Sequence, residues 1–220
     1  MSAPAAAQHE LQRYYAQRAA EYEAIYAKPE RQQDLAQLRN DVSAAFRGRT
    51  VIELACGTGY WTSHIARHAI HVDAFDINEE TLEVARVKGL DPGRVRFAIG
   101  DAYATPAAAR YDAAFAGFWW SHVATRDLPR FLEGLHRVLR PGARVVFLDN
   151  RFVAGSSTPI ARVDDNGDSW QLRTLGDGSS HEVLKNFPTS DALRAAVAPF
   201  AAVAEVRVFD YYWLLDYTLD

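Results

Sequence analysis

A single cysteine, Cys56, occurs in the 220 residues, so no internal disulfide can form and a reducing, intracellular setting is expected. No run of like charges suggests a tail. A formal net charge of −4 leaves no basic footprint for nucleic acid. The apolar runs fall far short of the ~20 residues a membrane span needs, and "MSAPAAAQHE" lacks the basic start and apolar core of a signal peptide. The expectation is a soluble, cytoplasmic protein without membrane or nucleic-acid partners, as a monomer or homodimer. Two nucleotide signatures are also missing. No glycine-rich loop ends in Gly-Lys-Ser/Thr, and G-x-G-x-x-G fails because Gly57 and Gly59 are followed by Thr62. A pyrophosphate held on a P-loop or on a dinucleotide turn is therefore not expected.

What is present is a globular composition, 49% hydrophobic, enough for one large domain. Residues 1–9 read as a flexible tail, 10–220 as a single domain with 10–47 as a helical lid. In "LQRYYAQRAAEYEAIY" (11–26), Tyr15, Arg18, Tyr22 and Tyr26 recur at spacings of three and four and share a helix face. Lys28-Pro29 ends that helix, and 31–46 forms a second. Strands at 50–55, 70–76, 94–101, 111–118 and 143–150 then alternate with helices at 59–68, 78–88 and 126–139, the last ended by Pro141-Gly142. Such alternation predicts an α/β fold with a parallel sheet covered on both faces. Turn signals at Asn166-Gly167 and Asp177-Gly178 mark a β-hairpin insertion over 160–187. A helix (189–197) and strands 201–209 and 211–219 close the chain. The last two are joined too tightly for a parallel crossover, so the final strand is antiparallel.

Ligands of such sheets lie beyond the carboxyl ends of the strands. In "VIELACGTGYW" (51–61), Ala55, Cys56, Gly57, Thr58 and Gly59 allow close backbone approach to a ligand; a plain tight turn would use the same residues. Asp76 ends the second strand 17 residues after Gly59, where a carboxylate can accept both hydroxyls of a ribose, although Asp is also a common helix N-cap. Asp101, ending the third strand in "AIGDAY", is placed to accept from a purine amino group.

With these pieces the chain resembles the class I S-adenosylmethionine-dependent methyltransferases, small-molecule branch. The resemblance runs from about residue 11 to the end. It is carried by "VIELACGTGYW", "DAFDINEETLEVAR", "AIGDAY", "YDAAFAGFWWSHV" and "LRPGARVVFLDN". It implies a Rossmann-like sheet of seven strands, the last antiparallel, and S-adenosylmethionine as cofactor. By resemblance, Glu53, Ala55 and Gly57 line the methionine part and Asp76 takes the ribose. Ile77 packs on adenine, Asp101 and Ala102 hold its edge, and Phe118 begins the loop under the sulfonium. Two positions depart from the family pattern: Ala55, often glycine, and Tyr60, where a third glycine is common and a ring is expected to narrow the pocket. "YYAQRAAEYEAIY" resembles the family's amino-terminal lid helix.

A sulfonium is cationic, and aromatic faces attract cations by roughly 0.5–2 kcal/mol. Tyr15, Tyr22, Trp61 and Trp119 are candidates for that wall, against the alternative that they are ordinary core. "GFWWSHV" places Trp119, Trp120 and His122 where the acceptor should sit. His122 is the candidate general base, with helix capping or substrate orientation as its other roles. His181 is a second acceptor-side candidate, and Lys185 a further one on the same hairpin. Asp149-Asn150 resembles the metal ligands of catechol-type methyltransferases. No carboxylate follows the fourth strand, however, so no metal is expected. The expected activity is methyl transfer to a small molecule, at oxygen or nitrogen. A non-catalytic S-adenosylmethionine-binding subunit and an NAD-dependent oxidoreductase are the alternatives.

Overall fold

The structure is a computed structural model describing residues 3–104 and 111–220. Its frame is a seven-stranded sheet built from β1 (Thr50–Leu54), β2 (His71–Asp76), β3 (Val95–Ile99), β4 (Tyr111–Gly117), β5 (Leu139–Asn150), β9 (Ala204–Val208) and β10 (Tyr212–Thr218). The spatial order is β3-β2-β1-β4-β5-β10-β9, with β10 antiparallel to both its neighbours. Chain direction across the sheet reverses between β1 and β4, which pair in parallel, so the loops after these two strands flank the crevice such sheets use for ligands. Val51, Ile52, Ala113, Ala114, Val145 and Val146 are fully buried, as expected of strands covered on both faces.

The covering helices are α2 (Gln32–Ala45), α3 (Tyr60–Ile65), α4 (Glu79–Arg86), α5 (Leu128–His136) and α6 (Ser190–Val197). The helix expected to stop at Pro141-Gly142 stops at His136 instead, and β5 runs through the pair. A register shift against β4 between Tyr111 and Ala113 absorbs the extra residues, with Gly142 at φ +76°, a conformation glycine adopts freely.

At the amino terminus α1 spans Ala3–Arg18 and continues as a 3₁₀ segment over Ala19–Ala27. It thus begins inside the stretch read as a tail; Met1 and Ser2 lie outside the described residues. The ring row survives the change of helix type. Tyr15 meets Tyr22 at 5.7 Å, Tyr22 meets Tyr26 at 6.2 Å, and the Arg18 guanidinium lies 5.7 Å over Tyr22. The insertion is a three-stranded antiparallel sheet rather than a hairpin: β6 (Arg162–Val163), β7 (Ser169–Thr174) and β8 (Ser180–Leu184). Its extra strand is two residues long, too short to show a period. Leu11 and Tyr14 of α1 pack on Val183 of β8, so the insertion and the first helix form one cover. Among the described residues no helix is long and apolar enough to cross a membrane.

Candidate active site

The loops after β1 to β4 surround a cavity of ≈ 280 Å³. Two of its lining residues, Ala55 after β1 and Phe118 after β4, have positive φ (51° and 60°) without being glycine. Left-handed backbone at such residues costs about 1–3 kcal/mol and concentrates where a loop is shaped for a ligand. The Phe118 turn is held by its N–H, which donates to the Leu148 carbonyl at 2.6 Å. Gly57 also lines the cavity at φ +54°, and a Cβ there would meet nothing within 4 Å. That open space is what close approach of a ligand to backbone requires. Gly59 has a different reason: its Cβ would fall 3.0 Å from that of Ala85, on α4.

Asp76 lines the cavity while only 7% exposed. Its Oδ2 accepts from Gly57 N at 2.8 Å, and its Oδ1 from Asn78 N at 2.9 Å and Thr81 Oγ1 at 3.1 Å. Asp76 is not the N-cap of α4, which is Asn78; it ties the glycine loop to the start of that helix and lines the cavity. Burial raises its pKa, and the donated hydrogen bonds oppose the rise. Ile77, Asp101 and Ala102 line the same cavity. Asp101 is exposed, and its Oδ1 accepts from Tyr103 N at 2.9 Å. Tyr15, Tyr22, Trp119 and His122 line the cavity as well.

His122 is buried (4% exposed). Nδ1 lies 2.6 Å from the Leu184 carbonyl, which can only accept, so Nδ1 carries the proton. Nε2 is then the acceptor for the Tyr15 hydroxyl at 2.8 Å. Burial, then Lys185 and Arg173, hold the imidazole pKa well below its ordinary value. His122 is a neutral ring whose free lone pair faces Tyr15.

Four residues expected at the site do not line this cavity. Glu53 is buried within β1, its Oε2 has no partner among the described residues, and burial pushes its carboxyl up to about 8. Trp61 packs in the core against Tyr26, Phe115 and Phe118. Trp120 packs on Phe147 and Trp213. His181 on β8 joins Nδ1 to Glu10 Oε1 at 2.6 Å, pinning the insertion to α1. Tyr60, expected to narrow the pocket, turns away and stacks on Tyr26 at 3.6 Å. Asp149 is fully buried. Its oxygens accept from Lys185 Nζ at 2.8 Å and from the backbone of Ser121 and Asn150.

A second cavity of ≈ 420 Å³ adjoins the first, and Tyr15, Tyr22 and Phe118 line both. Its cationic lining, Arg18, Lys28, Arg31 and Arg173 besides Lys185, was not anticipated apart from Lys185. Arg18 lay in the tyrosine row, but Arg31 and Arg173 have no motif or spacing that would single them out.

The comparisons with known proteins agree with this geometry. Residues 51–142 match the methyltransferase domain family. The malonyl-[acyl-carrier protein] O-methyltransferase of Serratia marcescens is 28% identical over 82% of this chain and 65% of its own length. The ubiquinone/menaquinone biosynthesis C-methyltransferase UbiE of Escherichia coli is 30% identical over 78% of this chain and 72% of its own. The chain spans about half to two thirds of several curated relatives, from 49% to 65% of their length. Among solved structures, the DhpI–SAM–HEP complex superposes with a TM-score of 0.78 at 26% identity, covering 96% of both chains. In a second DhpI structure the ligand is SAH, with a TM-score of 0.76.

The sheet order and the family match define an α/β protein of the methyltransferase type. The chain belongs to the class I S-adenosylmethionine-dependent methyltransferases, and its cofactor is S-adenosylmethionine. The residues present fit that group. The open cradle at Gly57, the buried carboxylate of Asp76 and the apolar Ile77 and Ala102 match the polar and flat parts of a nucleoside.

Proposed function

We propose that this chain transfers a methyl group from S-adenosylmethionine, held in the ≈ 280 Å³ cavity, to the oxygen or nitrogen of a small molecule seated in the ≈ 420 Å³ cavity. The observation that carries this reading is the shared wall: Tyr15, Tyr22 and Phe118 face both spaces. The cofactor supplies an electrophilic methyl on a cationic sulfur. The protein's part is to align donor and acceptor, which in well-oriented systems is worth up to ~7–11 kcal/mol. The faces of Tyr15 and Tyr22 favour positive charge, and the Tyr15 ring is fixed by its bond to His122.

His122 positions Tyr15; as a base it could receive a proton only through that hydroxyl. The helical segment 10–47 acts as a lid, held by Glu23 to Thr58 Oγ1 at 2.7 Å and to Lys88. A non-catalytic subunit would have its acceptor side filled, whereas this one is open. An oxidoreductase would need the dinucleotide turn that Thr62 interrupts.

Calorimetric titration with S-adenosylhomocysteine and NAD in parallel, then a methylation assay on a substrate panel, tests the reading. Binding of the first alone is expected; binding of NAD alone would overturn it. In the same assay His122→Ala should lower turnover only a few-fold. A loss of about 10²–10⁴-fold with a matching pH profile would make His122 the general base.

A further inference from the structure

Acidic residues outnumber basic ones in this chain, 28 to 24, yet the ≈ 420 Å³ cavity reverses that balance. Arg18, Lys28, Arg31, Arg173 and Lys185 line it against one carboxylate, Glu21. The five cations come from separate parts of the chain: the amino-terminal helical segment, β7 and the residue after β8.

Among the described residues Lys185 alone of the five forms an ion pair, with Asp149 at 2.8 Å, while Glu30 acts on Lys28 and Arg31 electrostatically without pairing with either. Arg31 is 8% exposed and donates to Asn150 Oδ1 at 3.2 Å and Ser156 Oγ at 3.0 Å, while its Nε has no partner among the described residues. Arg173 donates to Gln171 Oε1 at 2.8 Å and lies over the Tyr14 ring. Arg18 donates to the Tyr14 hydroxyl, and Lys28 reaches only the Ser156 carbonyl at 3.4 Å. Every one of these bonds ends on a neutral oxygen. The cations also lie within electrostatic reach of one another. Burial lowers the Lys185 pKa; Asp149 opposes the shift, and Arg173 and Arg31 add to it. Burying charges together without a counter-charge is strongly unfavourable. A ligand carrying the missing negative charge would relieve it.

We propose that this cavity binds the methyl acceptor, and that the acceptor is a small organic oxyanion whose phosphoryl or carboxylate head is held by Arg31 and Arg173, with Arg18 and Lys28 beside them. The proposal rests on the reading of the adjoining cavity as the donor site. Guanidinium forks suit the paired oxygens of such a head. An acceptor oxygen that arrives ionised has no proton to lose, which matches a neighbouring His122 whose lone pair is turned to Tyr15.

The test is calorimetric titration of the full chain, saturated with S-adenosylhomocysteine, with inorganic phosphate, acetate and uncharged glycerol. Phosphate or acetate should bind and glycerol should not, with affinity falling as ionic strength rises; the stronger of the two anions names the head group. Arg31→Gln and Arg173→Gln should each weaken anion binding about tenfold or more, with S-adenosylhomocysteine affinity within a few-fold of the parent. Arg173 is only half-buried, so its variant serves where the Arg31 variant does not fold. Absence of anion binding in protein that still binds S-adenosylhomocysteine would overturn the proposal, as would unchanged anion affinity in a folded variant. Failure to bind S-adenosylhomocysteine at all would instead defeat the donor-site reading.

Discussion

Asp76 and Arg31 are both buried charges, 7% and 8% exposed, each beside a cavity, but their surroundings differ in kind. Around Asp76 the protein supplies donors from its own backbone and from Thr81, so the carboxylate is already stabilised when the cavity is empty. Around Arg31 the hydrogen-bond acceptors are neutral, and among the described residues Nε has none. The first cavity is built by short loops at strand ends, where backbone amides are at hand to satisfy a carboxylate. The second is assembled from a helix, an inserted sheet and a loop, where side chains must do that work. On the reading proposed above, a donor pocket organised in advance adjoins an acceptor pocket that still needs a counter-charge.

The largest expected effect falls on the one cation in the second cavity that has a partner. Asp149→Ala would leave Lys185 buried and unpaired like its neighbours, at a cost of roughly 3–5 kcal/mol in stability by urea denaturation. Adding Lys185→Met should recover most of that loss. A cost under about 1 kcal/mol would show that the cavity tolerates every cation equally, and the contrast with Arg31 would vanish.

Glu53 sharpens the comparison from the donor side. Its folded-state pKa of about 8 stands above the ordinary 4.5 because of burial, so the folded protein holds this proton more tightly than the unfolded chain. The stability that follows is complete below pH 4.5 and is lost as pH rises through 8. Glu53→Gln should therefore be more stable than the parent at pH 8, by up to roughly 4 kcal/mol at ~1.4 kcal/mol per pKa unit. Near pH 4.5 the two should be nearly equal. Urea midpoints measured at both ends of the range check this, and a pH-independent difference would remove Glu53 as the titrating group.

A smaller effect is expected at Asp76. Asp76→Ala should weaken S-adenosylhomocysteine binding by roughly 1.5–3 kcal/mol, the scale of a hydrogen bond to a charged group. Unchanged affinity in a folded variant would confine Asp76 to tying Gly57 to α4.

The donor side was legible because its chemistry is local. A strand that runs into small residues, then a carboxylate at the end of the next strand, places Gly57 and Asp76 at the carboxyl ends of adjacent strands. Ala55, noted as a departure from the family's glycine, does adopt the left-handed conformation that a glycine would take without strain. The aromatic wall was legible only in part. Periodicity put Tyr15 and Tyr22 on one face, but it cannot say which of several rings along a loop turns inward. Trp61 and Trp120 enter the core while Trp119 meets the cavity. The hairpin expectation missed β6 because two residues carry no alternation, and the α5 boundary moved because Pro141 and Gly142 fit a bulge in a strand as well as a helix end.

Sequence alone determined the order of strands and helices, the glycine loop and the acidic residues at successive strand ends, since each depends on neighbours within a few positions. Tertiary structure alone decided the acceptor side. Residues 18, 28, 31, 173 and 185 converge only because the inserted sheet packs on α1 through Val183, Leu11 and Tyr14. Charges brought together across such separations leave no periodic mark in the chain. Their meaning lies in which partners burial has withheld from them, and that is fixed when the elements pack.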